Sequence, residues 1–207
     1  ILLYIDQIMN EDRLGVAEIK CREFLKKNPS HTYAMAQLAE IASRLGHYND
    51  AEFLLEKATS FEPDDAELRM KYIMVLRNPQ KFAKTTQQVN ILCEQFPDNL
   101  LYQLQKAIEM MQSGNNMNAI NILDEVIKKS PHNYSALTSK GHAEKTLGKT
   151  ENAIKSYQKA YEIKSDHGVA FFSLSNLKTY MFSDHELHLM NSQLQRVDLS
   201  LREKAYF

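Results

Sequence analysis

Apolar, small and polar side chains recur along this 207-residue chain in a pattern with a period of 34 residues. Prolines mark the period most plainly, because four of the five stand at this interval. Proline cannot supply the backbone N–H that a helix interior needs, so each of them predicts the end of a helix. The spacing therefore predicts a tandem array of helical repeats in step with Pro29, Pro63, Pro97 and Pro131.

Small side chains at two other places of the repeat support the same register. All five residues compared at the twentieth place are small, and so are four of the five compared at the eighth place. Small residues are needed where two helices cross closely, so both places predict the contact within a helical hairpin. The residues are Ala17, Ala51, Thr85, Ala119 and Ala153 at the twentieth place, and Ala39, Ile73, Ala107, Gly141 and Ser175 at the eighth, with Ile73 as the exception.

The turn between the two helices of a repeat has its own signal. Gly46, Gly114 and Gly148 share the fifteenth place. There we expect a left-handed backbone, which glycine adopts without steric cost. The repeat 66–99 has Pro79 at this turn instead, in the segment RNPQKF, so an irregular turn is expected there.

These features resemble the tetratricopeptide repeat, a helix-turn-helix unit of 34 residues. The segments GHYNDA, GKTENA and KATSFEPDD carry the resemblance, which covers nearly the whole chain. It implies an all-α fold, a right-handed α-α superhelix of about five to six helical hairpins. We predict a single array over 1–207, made of a partial repeat that supplies the second helix of a hairpin (1–31), four full repeats (32–65, 66–99, 100–133 and 134–167), an atypical repeat (168–201) and the start of a further helix (201–207).

Stacked repeats of this kind leave a concave inner face, lined by the first helix of each repeat. Helical periodicity turns the second, fifth, ninth and twelfth residues of that helix toward the open face. We predict a peptide-binding groove there, apolar in its middle and polar and basic at one end. Its residues are Met70, Met74, Arg77, Leu101, Leu104, Ile108, Met111, His142 and Lys145.

Two alternatives compete with this groove. The methionines are also typical core fillers, and Leu101, Leu104 and Ile108 could be covered by a terminal helix or a further domain. Some tetratricopeptide proteins grip a C-terminal carboxylate with lysine, asparagine and arginine on adjacent first helices. This chain departs from that pattern, because the inward places of the repeat 32–65 hold Ala36 and Glu40.

The C-terminal segment carries a second resemblance. From Ala170 the chain reads AFFSLSNLKTYMFSDHELHLM, followed by RVDLSLREKAYF. Over roughly 168–207 this is similar to the junction in bacterial proteins that carry tetratricopeptide repeats ahead of a sulfotransferase domain. Ser183 with Glu186, and Ser200 with Glu203, have capping-box spacing, so helices should begin after both serines. The resemblance implies an alternative function, in which this chain positions substrate or mediates dimerisation for a sulfotransferase domain outside it.

Charge and composition argue against several other classes of function. The 25 basic and 26 acidic residues nearly cancel, so the chain lacks the excess positive charge that favours nucleic acid binding. Its longest apolar run, residues 1–5, is far too short to span a membrane. Cys21 and Cys93 lack metal-ligand spacing and favour a reducing compartment, so we expect a cytoplasmic protein.

The sequence therefore predicts a non-catalytic scaffold that binds a protein or peptide. No glycine-rich phosphate cradle occurs, so we expect no cofactor and no catalytic site. His185 and His188 lie three residues apart, whereas the zinc-protease helix needs four, so no metal site is expected. Self-association through exposed helix ends, giving a homo-oligomer, is a further hypothesis.

Overall fold

A computed structural model describes residues 1–78 and 81–207 of the chain. These residues form thirteen helices and no strand. The predicted all-α fold class is therefore confirmed. The chain divides into two compact units, an N-terminal unit (Ile1–Pro97) and a C-terminal unit (Asp98–Phe207).

The N-terminal unit is built from three helical hairpins. Each helix packs against the next one along the chain, and the first helices of neighbouring hairpins also contact one another. The helices are α1 (Leu2–Asn10), α2 (Leu14–Lys27), α3 (Thr32–Arg44), α4 (Tyr48–Phe61), α5 (Ala66–Arg77) and α6 (Phe82–Gln95).

The C-terminal unit begins with two regular hairpins and ends in shorter helices. Among the first five helices of this unit, each one packs against the next along the chain. They are α7 (Leu100–Gln112), α8 (Asn116–Lys129), α9 (Tyr134–Thr146), α10 (Thr150–Ile163), α11 (Gly168–Ser175), α12 (Asp184–Leu194) and α13 (Leu201–Lys204).

The helix ends follow the proline ladder. The helices α2, α4, α6 and α8 each end two residues before the proline that predicted their end. The structure differs from the prediction at the N-terminus, where a first helix, α1, precedes α2 in what was expected to be a partial repeat. Its buried residues Ile5, Ile8 and Met9 share one helix face, which packs against α2 and α3.

The turns also match their sequence signal. Gly46, Gly114 and Gly148 all have positive φ angles, of 83°, 82° and 74°. Asp12 takes the same place in the first hairpin, with a φ of 58°. Aspartate tolerates this left-handed conformation better than most residues, because its short polar side chain can bond locally. The irregular turn expected at Pro79 lies outside the described residues.

The close contact within each hairpin depends on small residues at the predicted places. The five small residues named for the twentieth place, Ala17, Ala51, Thr85, Ala119 and Ala153, are all buried. At Gly141 in α9 the helices come so close that an added Cβ would lie 2.5 Å from Cε1 of Tyr157 in α10. The hydroxyl oxygen of Tyr157 lies 2.9 Å from Nδ1 of His142, so the ring is held where it closes on the glycine.

Both cysteines belong to the core of the N-terminal unit. Cys21 in α2 and Cys93 in α6 are free and buried. Burial raises the pKa of the Cys21 thiol to about 11. The Cys21 thiol donates a hydrogen bond to the carbonyl oxygen of Ala34, at 3.1 Å. Cys21 thus acts as a small packing residue between α2 and α3.

The helix α12 begins at the predicted capping box and is fixed by a buried carboxylate. Ser183 caps the helix, and Glu186 accepts hydrogen bonds from the backbone N–H and the hydroxyl of Ser183, each at 2.8 Å. Glu186 also accepts hydrogen bonds from the hydroxyls of Tyr161, at 2.7 Å, and Tyr180. The carboxylate of Glu186 therefore links three parts of the chain, namely α10, the loop that follows α11, and its own helix α12. The second predicted box, at Ser200, is also present and begins α13.

Candidate functional site

The N-terminal unit has a recess between its first helices α3 and α5, with a volume of about 400 Å³. We call it the inner groove. Its apolar floor comes from Ala36 of α3, Leu55 of α4 and Val75 of α5, and Met74 stands at its edge with 61% of its surface exposed. The polar residues around it are Glu40, Ser43, Arg44, Lys71 and Asn78.

The inner groove continues into a smaller recess of about 130 Å³ between the N-terminal ends of α3 and α5. The two recesses share Ala36 and Lys71. Tyr33 contributes an exposed ring to the smaller one. The lining thus changes from apolar beside Met74 to aromatic and charged beside Tyr33.

Most charges along the inner groove are already paired. Lys71 lies 3.2 Å from the carboxylate of Glu67. Arg44 reaches Oδ1 of Asp12 at 2.7 Å. Within residues 1–78 and 81–207, Glu40 has no ion pair or hydrogen bond to its side chain. The inner groove therefore presents one carboxylate that is ready for a cationic ligand.

Tyr33 is set in an acidic environment at the end of the inner groove. Its hydroxyl donates a 2.8 Å hydrogen bond to Oδ2 of Asp6 in α1. This bond, together with partial burial and the nearby charges of Asp6, Glu67 and Glu40, raises the pKa of Tyr33. Its ring is also approached by the ammonium of Lys71, whose nitrogen lies 5.8 Å from the ring centre. An aromatic ring among carboxylates is a favourable contact for a cationic side chain.

The residues of α3 that line the two recesses stand at the places that helical periodicity turns toward the open face of the first helix. In α3 the second, fifth, ninth and twelfth places are Tyr33, Ala36, Glu40 and Ser43, and all four line the two recesses. In α5 the predicted Met74 lines the inner groove, whereas Met70 and Arg77 are half-buried. The predicted site residues did not include Tyr33, Glu40, Arg44 or Lys71, although the same count along α3 reaches Tyr33 and Glu40.

In the C-terminal unit the predicted groove residues of α7 divide into exposed and buried ones. Leu101 is 52% exposed, and Ile108 and Met111 are half-buried. Leu104 differs from the prediction, because it is only 7% exposed and packs in a core cluster with Leu123 and other buried residues. The size of the residue at the fifth place of the first helix explains why Leu104 packs into the core where Ala36 lines a recess. Alanine there, at Ala36, leaves a recess, whereas a leucine side chain fills it.

The two predicted groove residues of α9 have different surroundings. Lys145 is exposed. His142 is half-buried and bonded to Tyr157, and its pKa is lowered by burial and by the nearby charge of Lys145. A lowered pKa keeps the imidazole neutral at pH 7. His142 is thus part of the α9 and α10 contact.

The described residues contain neither a candidate metal site nor a candidate membrane-spanning helix. In the described part of the chain, no group of three or more histidine, cysteine, aspartate or glutamate residues is placed to hold a metal ion. Among the helices formed by these residues, none combines the length and apolar character needed to cross a membrane.

The paired helices, the glycine turns and the recess between first helices define a helical-repeat protein. Family models described as tetratricopeptide repeat match residues 17–72 and 134–167. These two segments of the chain are thus similar to tetratricopeptide repeats. Human tetratricopeptide repeat protein 6 is 27% identical over 121 residues, which is 58% of this chain and 23% of the human protein. The chain therefore spans less than a quarter of that relative.

Solved structures of two proteins share the fold. One is YrrB, described as a TPR protein with an unusual peptide-binding site, with a TM-score of 0.68 and 18% identity over 86% of this chain and 90% of YrrB. The other is MamA, with a TM-score of 0.67 and 18% identity over 77% of this chain and 94% of MamA. At this identity the two structures support the architecture of the chain alone.

Proposed function

We propose that this chain is a protein-interaction scaffold that binds an extended peptide segment of a partner in the inner groove. The observation that carries the proposal is the recess of about 400 Å³ between α3 and α5, with Met74 exposed at its edge. A volume of this size accepts one large apolar side chain with the backbone beside it. The peptide-binding site in the description of YrrB lends support by analogy.

The charges of the inner groove define the preferred peptide. An apolar side chain enters between Ala36 and Met74, and burying it contributes about 1.5–3 kcal/mol. A lysine or arginine of the peptide then pairs with Glu40, which has no partner within the described residues. The same cationic side chain lies near the ring of Tyr33. The proposal therefore specifies a segment with a basic residue next to an apolar one.

Replacing Met74 with glutamate is expected to weaken peptide binding about tenfold or more, which equals about 1.4 kcal/mol or more. The exposed side chain makes the substitution tolerable for folding, but the new charge stands where the apolar side chain enters. Peptides selected from a random phage-displayed library on the wild-type chain provide the ligands, and fluorescence anisotropy measures their affinity.

The matched control is Met117→Glu, because Met117 is a similarly exposed methionine on α8, in the other unit. It should leave the affinity unchanged, and Glu40→Lys should selectively weaken peptides with a basic residue. If Met74→Glu and Met117→Glu bind all selected peptides equally, the inner groove is not the binding site.

The predicted contact surface of the C-terminal unit is a second part of the proposal. Leu101, Ile108 and Met111 would offer a partner an apolar face there. Leu101→Glu tests it, because Leu101 is exposed. Leu104→Glu would instead disturb the core, so it does not test binding.

Three finer expectations from the sequence stay predictions. The sulfotransferase role rests on the resemblance of 168–207, and the relatives described above share the helical repeat with this chain. A reading frame that continues into a phosphosulfate-binding domain would support that role. Light scattering would detect the homo-oligomer, and imaging of the tagged protein in its own cell would test the cytoplasmic location.

A further inference from the structure

The N-terminal unit has another recess, on the side of its second helices. This recess, which we call the outer groove, lies between α2 and α4 over α3 and has a volume of about 330 Å³. Its residues are Arg22, Leu25, Lys26, Pro29, Met35, Leu38, Phe53, Leu54 and Lys57. None of them lines the inner groove. Both grooves could therefore be occupied at the same time.

The outer groove has an apolar interior with an exposed aromatic ring at its edge. Met35 and Leu38 of α3 are buried beneath it, and Leu25 and Leu54 are partly buried. Phe53 of α4 is 65% exposed, although it stands next to this apolar floor. An exposed phenylalanine beside a recess supplies apolar area that a ligand would bury.

Among the described residues, the charged side chains that line the outer groove are all positive. Arg22, Lys26 and Lys57 line it, and no acidic side chain does. Arg22 is paired with Glu18 of its own helix, at 2.8 Å. Lys57 lies 5.9 Å from the ring centre of Phe61, and Lys26 has no ion-pair partner in the described part of the chain. Two ammonium groups thus remain available to an anionic ligand.

We propose that the outer groove docks an acidic segment of another protein, with one large apolar side chain flanked by aspartate or glutamate. The apolar side chain packs against Phe53 and enters over Leu25 and Leu54. The flanking carboxylates pair with Lys26 and Lys57. Positive charge beside an apolar recess selects this ligand over a basic or a purely apolar one. The inner groove prefers the opposite charge, so one unit would join two different partners.

A pair of synthetic peptides tests this proposal. The probe is a fluorescein-labelled peptide with the core Glu-Asp-Leu-Phe-Asp-Glu, and its counterpart has lysine at each acidic position. Fluorescence anisotropy with the full chain should show that the acidic peptide binds about tenfold or more tightly than the basic one, with affinity falling as salt rises. Equal binding of the two peptides would overturn the proposal.

Charge reversal locates the site. The double variant K26E/K57E should weaken the acidic peptide about tenfold or more and should bind the basic peptide better than the wild type does. The matched control is K155E/K159E, which makes the same charge change at two exposed positions of α10 in the other unit. If both double variants bind the acidic peptide alike, the outer groove is not the site.

Two further measurements test the role of the apolar ring and the identity of the occupant. Phe53→Ser removes the exposed ring without a change of charge, and it should also weaken the acidic peptide. Circular dichroism melting checks that every variant is folded. Sedimentation of the wild type and K26E/K57E detects a different occupant. A dimer that is present in the wild type and lost in the variant would assign the outer groove to a second copy of this chain and overturn the proposal.

Discussion

Replacing Gly141 with alanine is expected to lower the free energy of unfolding of the C-terminal unit by about 1–3 kcal/mol. An added Cβ would lie 2.5 Å from Cε1 and 2.7 Å from Cδ1 of Tyr157, closer than side chains approach one another. The Tyr157 ring is fully buried and its hydroxyl is bonded to His142, so it cannot move aside freely. Urea unfolding followed by circular dichroism measures the loss.

Helix propensity acts in the opposite direction, and a control separates the two effects. Alanine is favoured over glycine in a helix by about 1 kcal/mol. Gly15→Ala in α2 adds the same methyl group where, apart from the adjoining backbone of α2, no described atom lies within 4 Å of it. This control should leave stability unchanged or raise it. A Gly141→Ala chain as stable as the Gly15→Ala chain would show that the contact with Tyr157 yields easily.

A second substitution should rescue the first. The previous repeat has Ala107 and Leu123 at the places of Gly141 and Tyr157, and both are buried in one core cluster. Compared with Gly141 and Tyr157, the earlier repeat therefore has a larger residue on its first helix and a smaller residue on its second helix. In the double variant G141A/Y157L the loss should be smaller than the sum of the two single losses. Additive losses in the double-mutant cycle would contradict direct contact between the two sites.

Replacing Glu186 with alanine is expected to cost about 3 kcal/mol of stability in the C-terminal unit. The carboxylate accepts hydrogen bonds from Tyr161, Tyr180 and Ser183. Its removal leaves the hydroxyls of buried Tyr161 and half-buried Tyr180 without this acceptor, and hydrogen bonds to a charged acceptor are the strong ones. Urea unfolding and hydrogen exchange of the α12 amides should both report the change.

The second capping box provides the matched control for Glu186. Glu203 bonds Ser200 in the same way at the start of α13, but it is exposed. Glu203→Ala should therefore cost clearly less stability than Glu186→Ala does. If the two substitutions have equal effects, Glu186 acts as a helix cap alone, and its bonds to Tyr161 and Tyr180 add nothing.

Glu186 also predicts a dependence of stability on pH. Burial by itself would raise the pKa of Glu186, but hydrogen bonds from Tyr180, Ser183 and Tyr161 outweigh burial and lower it. A carboxyl with a lowered pKa holds its proton less tightly in the folded chain than in the unfolded one. Its contribution is therefore complete above the unfolded pKa, about 4.3, and is lost as the pH falls through the lower folded pKa.

Unfolding experiments at a series of pH values test this dependence. The wild type should lose stability below about pH 4.3, and the Glu186→Ala variant should lose less over the same range. Glu52 acts in the same sense, because its pKa is lowered by Lys81 and Lys84 against the opposing effect of burial. The variant should therefore keep part of the pH dependence. If stability falls with pH in parallel for the wild type and the Glu186→Ala variant, Glu186 is excluded as a source of the pH dependence.

The helices could be predicted from the sequence because their signals are local. A proline disrupts a helix interior through its own ring and its missing N–H. Gly46, Gly114 and Gly148 favour turns through the freedom of their own backbone. The capping box of Ser183 and Glu186 lies within four residues. The hydrogen bonds from Tyr161 and Tyr180 to Glu186 could not be predicted. Tyr161 comes from α10, and no spacing rule links a residue of α10 with one of α12.

The lining of the candidate site was only partly predictable. Periodicity gives the direction in which a side chain points, but it does not say whether a neighbouring side chain covers it. Ala36 and Leu104 share the fifth place, yet the first opens a recess and the second is buried in the core. The ion pair of Arg44 with Asp12 also depends on a contact across helices.

The burial of both cysteines has a practical consequence for studying this protein. Thiol reagents attack the exposed thiolate, and the pKa of Cys21, about 11, leaves little thiolate at neutral pH. Cys93 is shielded by its surroundings. A cysteine introduced in place of Phe53 or Met74 should therefore react with a maleimide dye far faster than either native thiol. Reporter dyes could be attached at each groove in turn without first removing Cys21 or Cys93.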